Sequence, residues 1–138
     1  MYLKSPPCCD GSDPTRLALH DGTSETILAP EFFIWEPYLI SAGWVAYGEP
    51  TSRNLWRYGP SGLTQATFFS APPESPDQIP GLDAIGPDGT ILGTWFNTRF
   101  RAKVGEPPLP MGSAMGRVIY RTGRFLVVMG PNVLMVTP

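Results

Sequence analysis

Short apolar runs alternate with glycine-centred polar breaks along almost the whole chain. The stretch "IGPDGTILGTWF" (85–96) shows the unit: Ile85, a break at Pro87-Asp88-Gly89, then Ile91, Leu92, Trp95 and Phe96. Asp-Gly tolerates positive φ at both turn positions, and branched and aromatic side chains suit a pleated sheet, so this stretch predicts a β-hairpin. Four further stretches repeat the pattern. "RLALHDGTSETIL" (16–28) turns at Asp21-Gly22, "PYLISAGWVAYGE" (37–49) at Gly43, "NLWRYGPSGLTQATFF" (54–69) at Pro60-Ser61-Gly62, and "GRVIYRTGRFLVVMG" (116–130) at Thr122-Gly123. "NVLMVTP" (132–138) reads as one more strand. No segment keeps a helical period. "EFFIWEPYLI" (31–40) is apolar, but Pro37 interrupts it and its aromatic content suits a strand.

The turn glycines 22, 43, 62, 89 and 123 recur at intervals of 21, 19, 27 and 34 residues. Two successive hairpins therefore span roughly 40 to 46 residues, the length of a four-stranded propeller blade. The longer intervals hold the proline-rich inserts "SAPPESPDQIP" (70–80) and "VGEPPLP" (104–110), which read as irregular or polyproline-like connections. Fifteen glycines and 17 prolines among 138 residues far exceed the usual combined share of about 12%. Breakers at that density exclude an all-helical fold. The expected organisation is a flexible arm over residues 1–12 and a single all-β domain over 13–138.

Charge narrows the partners. The net charge is −2, only 16% of residues are charged, and no basic run occurs. Neither a nucleic-acid nor a membrane partner is expected from such a balance. No apolar stretch approaches the roughly 18 residues of a spanning helix. The N-terminal "MYLKSPPCCDGSD" lacks the apolar region of a signal peptide, so the chain reads as cytoplasmic. Arg99, Arg101 and Lys103 alternate and are expected to share one solvated strand face. Cys8 and Cys9 are adjacent, too close for an ordinary disulfide between them. They are expected as free thiols, with a bridge between chains as the alternative.

A longer stretch, "YLISAGWVAYGEPTSRNLWRYGPSGLTQATF" (38–68), resembles a blade of the TolB-type propeller family, a relative in architecture of the WD40-like propellers. In that family a strand ends at a "SPDG" turn, a "WIAF"-like strand follows, then an "NLW-x-Y" strand and an "LT" close. Ser41-Ala42-Gly43 stands at the turn here, Trp44-Val45-Ala46-Tyr47 forms the second strand, and Asn54-Leu55-Trp56-Arg57-Tyr58 the third. Gly62-Leu63-Thr64 matches the close less well, and Gly86-Pro87-Asp88-Gly89 opens a second copy. The resemblance covers about residues 35–96 and implies antiparallel hairpins arranged as propeller blades. The chain has material for about three blades, where propellers have four to eight. Three blades leave unpaired edges, so the expectation is a homo-oligomeric propeller, two chains giving a six-bladed ring. A single β-barrel or β-sandwich built from the same hairpins is the alternative fold.

Candidate chemistry is sparse. His20, the one histidine, precedes the Asp21-Gly22 turn and reads as a solvated turn residue. No G-x-S-x-G elbow, no calcium loop and no zinc-type Cys/His spacing is present, so no catalytic residue, metal or cofactor is assigned. "GSAMG" (112–116) lacks the lysine and the helix of a phosphate loop. Most carboxylates flank turns or prolines. Glu36 and Asp83 alone sit in strand-like sequence, from which they could reach a central channel. Trp35, Trp44, Trp56, Trp95, Tyr38, Tyr47 and Tyr58 are expected mainly to fill the space between blades. Trp56, Tyr58 and Trp95, with Arg57 and Asp83 beside them in sequence or polarity, are the candidate ligand contacts, suited to stacking on a carbohydrate or a peptide. The expected role is a non-enzymatic ligand- or protein-binding or scaffold module. The alternatives are a glycosidase-like hydrolase using channel-facing carboxylates, and a structural piece of a longer propeller.

Overall fold

The apolar runs do form strands. A computed structural model describes residues 2–3, 15–20, 22–32, 37–41, 43–113, 115–121, 124–129 and 132–136, and those residues are all-β, with no helix among them. The first sheet holds β1 (Tyr2–Leu3), β2 (Thr15–His20) and β3 (Glu25–Phe32). The second holds β4 (Tyr38–Ser41), β5 (Trp44–Glu49), β6 (Asn54–Gly59) and β7 (Gly62–Gln65). The third holds β8 (Gly81–Ile85), β9 (Ile91–Trp95), β10 (Thr98–Ala102) and β11 (Leu109–Ser113). The fourth holds β12 (Arg117–Arg121), β13 (Arg124–Met129) and β14 (Asn132–Val136).

Each sheet is an antiparallel meander of consecutive strands, and the described strands do not close into a barrel. The division is into four sheets, not three blade-length units. Tyr2–Leu3 pairs with Leu19 and His20 and gives the first hairpin a third strand, while β14 does the same for the last. Residues 4–14, including Cys8 and Cys9, lie outside the described residues, as do Asp21, Trp35, Glu36 and the Thr122-Gly123 turn.

The hairpin at 85–96 shows why the glycine breaks turn the chain. Gly89 N–H bonds to Gly86 O, Gly86 N–H bonds to Thr90 O, and Asp88 accepts both the backbone N–H and the hydroxyl of Thr90, at 3.0 and 2.8 Å. Gly89 sits at φ +79°, and Gly22, Gly43 and Gly62 have positive φ at the other predicted turns. A second constraint acts at Gly89: a Cβ there would lie 2.8 Å from the ring of Trp44. Trp44 also donates its indole N–H to Pro87 O at 3.0 Å. A tryptophan at the start of β5 is thus seated in the turn of the next sheet. Its ring also lies against Gly59, where it fills the space a Cβ would need.

Apolar side chains join successive sheets face to face. β5 is buried at Trp44, Val45, Ala46, Tyr47 and Gly48, so both of its faces are covered. Successive side chains point to opposite faces. Val45 and Tyr47 accordingly pack with Leu17, Leu19, Leu28, Ala29 and Phe32 of the first sheet, whereas Trp44 and Ala46 pack with Ile85, Ile91, Phe100 and Ala102 of the third. Ala84 and Leu92 continue the series against Val118 of the fourth. β8 lies beside β4 and β5 on one side and β12 on the other.

Buried polar groups cross the same seams. Tyr47 donates its hydroxyl to Leu28 O at 2.7 Å. Burial, and secondly Glu49, push that phenol above its ordinary range, so it stays a neutral donor. Arg57, 2% exposed, donates to Gly89 O, Ala102 O and Lys103 O at 2.9, 2.8 and 2.7 Å, fastening β6 to the end of the third sheet where β9 begins and β10 ends. Burial draws its guanidinium below the ordinary value while Asp88 opposes the shift.

The expected solvated face of β10 needs correction. Arg99 is 5% exposed and donates to Met115 O and Gly116 O, at 3.0 and 3.1 Å, on the connection to the fourth sheet. Carbonyls take its two terminal nitrogens and its Nε lies 3.7 Å from Asp83 Oδ2, a setting that the alternation of charges along the strand did not reveal.

Candidate functional site

One cleft beside the third sheet is positioned by a residue that does not line it. Asn54, at the start of β6 and 5% exposed, uses its whole side-chain amide. Its Oδ1 accepts the hydroxyl of Thr67 and the backbone N–H of Phe69, both at 2.8 Å. Its Nδ2 donates to Ser52 O at 2.8 Å and Phe69 O at 3.1 Å. Thr67 in turn accepts Leu55 N–H at 2.9 Å. Residues 66–69 form no strand, yet they are held along β6, and Phe69 is gripped at both its N–H and its C=O.

Phe69 then stacks on Trp95, with ring centroids 5.1 Å apart and planes 6° from parallel, and meets Phe100 edge-on at 5.1 Å. Phe96 sets its ring edge-on to Trp95 at 4.7 Å. It sits in the two-residue turn between the paired Trp95 and Thr98, at φ +52°. For a bulky aromatic residue that conformation is a true outlier, costing on the order of 1–3 kcal/mol. Its ring is half exposed, at 51%.

These rings, with Thr98, Pro108 and Pro110, line a cleft of about 260 Å³. That lies below the roughly 300–1,000 Å³ of pockets for drug-sized ligands, so the cleft suits one small ring or side chain at a time. No ionisable side chain lines it, and Thr98 is the one hydroxyl. A second cleft of about 330 Å³ runs between β7 and residues 104–107, with Arg57, Thr64, Gln65 and Phe68 facing Val104, Gly105, Glu106 and Pro107.

The five candidate contacts are dispersed. Trp95 is in the aromatic cleft. Trp56 and Tyr58 pack on the opposite side of the second sheet, toward the first, and Trp56 donates its indole N–H to Ser52 Oγ at 2.9 Å. Arg57 is the intersheet fastening and borders the second cleft. Asp83 accepts the Thr94 hydroxyl at 2.9 Å and lies 3.7 Å from Arg99 Nε. Thr94 shares its strand face with Leu92, which packs toward the fourth sheet, so Asp83 is not grouped with the cleft aromatics. Phe69, Phe96, Pro108 and Pro110 were missed because each falls in a turn or a proline-rich connection. The Phe68-Phe69 and Trp95-Phe96 pairs, aromatic doublets at the ends of strand-like runs, were the available signal.

Among the described residues little else offers reaction chemistry. His20 accepts Gly22 N–H through Nδ1 at 3.0 Å, as a turn residue does. Among the described residues no group of three His, Cys, Asp or Glu side chains forms a metal-binding cluster, and no helix is long and apolar enough to cross a membrane. What the geometry can do is hold an apolar ring between fixed aromatic faces. No family model, curated protein or solved structure matches this chain.

Proposed function

We propose that the chain is a non-enzymatic binding module whose four sheets are successive blades of a propeller-like arc, and that a partner protein docks at the Phe69–Trp95–Phe96 cleft. The observation that carries this reading is Phe96: a strained backbone, kept in a half-exposed aromatic residue beside a pre-formed ring stack. Strain of this kind clusters at functional sites. Binding is favoured over hydrolysis because the cleft holds no acid, base or nucleophile beyond the Thr98 hydroxyl. Asp83, on which a hydrolase would depend, is occupied by Thr94 and Arg99.

The blade reading is supported by the stacking of consecutive meanders, by the position of β8 between β4 and β12, and by the seating of Trp44 in the Pro87–Gly89 turn. An arc of this kind has two outer faces, one on the three-stranded first sheet and one on the fourth. A second copy of the chain covers them and closes the ring. The test of the binding reading is a peptide and glycan array probed with the chain and with Phe96→Ala. Saturable binding that the substitution weakens by about tenfold or more supports it. Absence of any hit, or hits indifferent to Phe96, overturns it.

A further inference from the structure

The second cleft, between β7 and residues 104–107, differs from the aromatic one in the polar groups on its walls. Arg57 on β6 and Thr64 on β7 both line it, and they are direct cross-strand partners. Directly opposed residues of an antiparallel pair share one face of the sheet, with Cβ atoms about 4.5–5.5 Å apart. Each of the two carries a buried polar atom without a hydrogen-bond partner among the described residues: Nε of Arg57 and Oγ1 of Thr64. The two terminal nitrogens of the guanidinium are already engaged, by Gly89 O, Ala102 O and Lys103 O. All three partners are neutral carbonyls, and among the described residues no carboxylate forms an ion pair with Arg57. A buried cation with an unmet N–H is costly, and an anionic acceptor offsets that cost best. A carboxylate brings two such oxygens, enough to accept from an N–H and a hydroxyl at once.

The other walls narrow the ligand further. Phe68, Val104 and Pro107 are exposed and offer apolar surface to a carbon body. Glu106 is exposed on the facing wall, so a dianion such as phosphate meets more repulsion there than a single carboxylate does. At about 330 Å³ the cleft enters the roughly 300–1,000 Å³ range of small-molecule sites. Arg57 Nε and Thr64 Oγ1 are covered by the protein itself, so a ligand reaches them only as one wall yields. Residues 104–107 are the wall suited to yielding. All four are exposed, Gly105 turns at φ +77°, and the Glu106 N–H reaches Lys103 O at a long 3.3 Å.

We infer that this cleft binds a monocarboxylic acid with an apolar body, its carboxylate accepting from Arg57 Nε and from the Thr64 hydroxyl. The site is separate from the Phe69–Trp95–Phe96 cleft and stands or falls independently of the docking proposed there. The test is a titration of the ¹⁵N-labelled chain with benzoate, following the Arg57 Nε–H resonance, with benzamide as the uncharged control of the same shape. The expected result is a saturable downfield shift with benzoate, and binding of benzamide weaker by about tenfold or more. Thr64→Val keeps the branched shape and removes the hydroxyl, and it weakens benzoate by about tenfold. Thr64→Ser restores the hydroxyl and with it most of the affinity, which a purely structural role for Thr64 would not produce. An Arg57 Nε–H resonance unmoved by benzoate, equal binding of benzamide, or benzoate affinity indifferent to Thr64→Val overturns the inference. Glu106→Gln is the remaining control. If it shifts the Arg57 Nε–H resonance before any benzoate is added, the chain's own carboxylate is the partner of Arg57 and the inference is overturned; an unmoved resonance leaves that place to the ligand.

Discussion

At the scale of residues, close contacts between one aromatic ring and two glycines decide whether the second and third sheets can meet. Gly59 and Gly89 are small because the Trp44 ring occupies the space of a side chain at both. Gly59→Ala drives a methyl group into that ring and is expected to cost about 1–3 kcal/mol, as overpacking does. Gly89→Ala adds the strain of a positive φ and is expected to cost more. Thermal or urea unfolding of the two variants measures both. Asn54 gives a different prediction. Asn54→Ala leaves the Phe69 N–H and the Thr67 hydroxyl without their acceptor, at about 1–3 kcal/mol for each buried group. It also frees Phe69, so ligand affinity at the cleft falls although Asn54 does not line it. A variant that loses stability yet keeps full affinity would show that Phe69 is positioned by ring stacking alone. Trp95 was legible in the sequence as a candidate contact. Phe69 and Phe96 were not, because their roles arise from Asn54 and from a turn that brings 54, 69 and 95–96 together across the fold.

The elements were more legible than the site. Glycine breaks located the β2–β3, β4–β5, β6–β7 and β8–β9 turns, because positive φ is a local demand that the chain must meet with a local residue. β11 escaped, and β10 was read as a strand but with its burial misjudged. β10 buries Arg99 where charge alternation suggested solvent, and β11 begins inside a proline-rich stretch and is exposed along its whole length. The bend between β5 and β6 carries a pH prediction. Glu49 accepts Thr51 N–H at 3.0 Å and Ser52 N–H at 2.6 Å. Burial pushes its carboxyl up, but the hydrogen bonds from Ser52 and Thr51 together outweigh it and hold the group below its ordinary value. A carboxyl with a depressed folded pKa contributes stability that is present above its unfolded pKa and lost as pH falls through the folded value. Denaturant unfolding of the chain and of Glu49→Gln should therefore differ at neutral pH and converge in acid, below the ordinary glutamate range. A difference that persists unchanged in acid would remove Glu49 ionisation from the account.

The whole molecule is a row of meanders in which each sheet relies on its neighbour. Val45 and Tyr47 need the first sheet, Trp44 and Ala46 need the third, and the third needs Val118 of the fourth. The repeat of hairpins in the sequence anticipated that architecture, because period-two burial and turn spacing are both written locally. The number of sheets was not anticipated, because the turn glycines mark hairpins and do not show where one sheet ends and the next begins. If the four sheets are blades of an arc, as proposed, the arc is complete only when its two outer faces are covered. Size-exclusion chromatography with multi-angle light scattering, at micromolar concentration, tests that claim most directly. The account predicts a defined assembly of two or more copies of the 15.1 kDa chain. A stable species with the mass of one chain would contradict it.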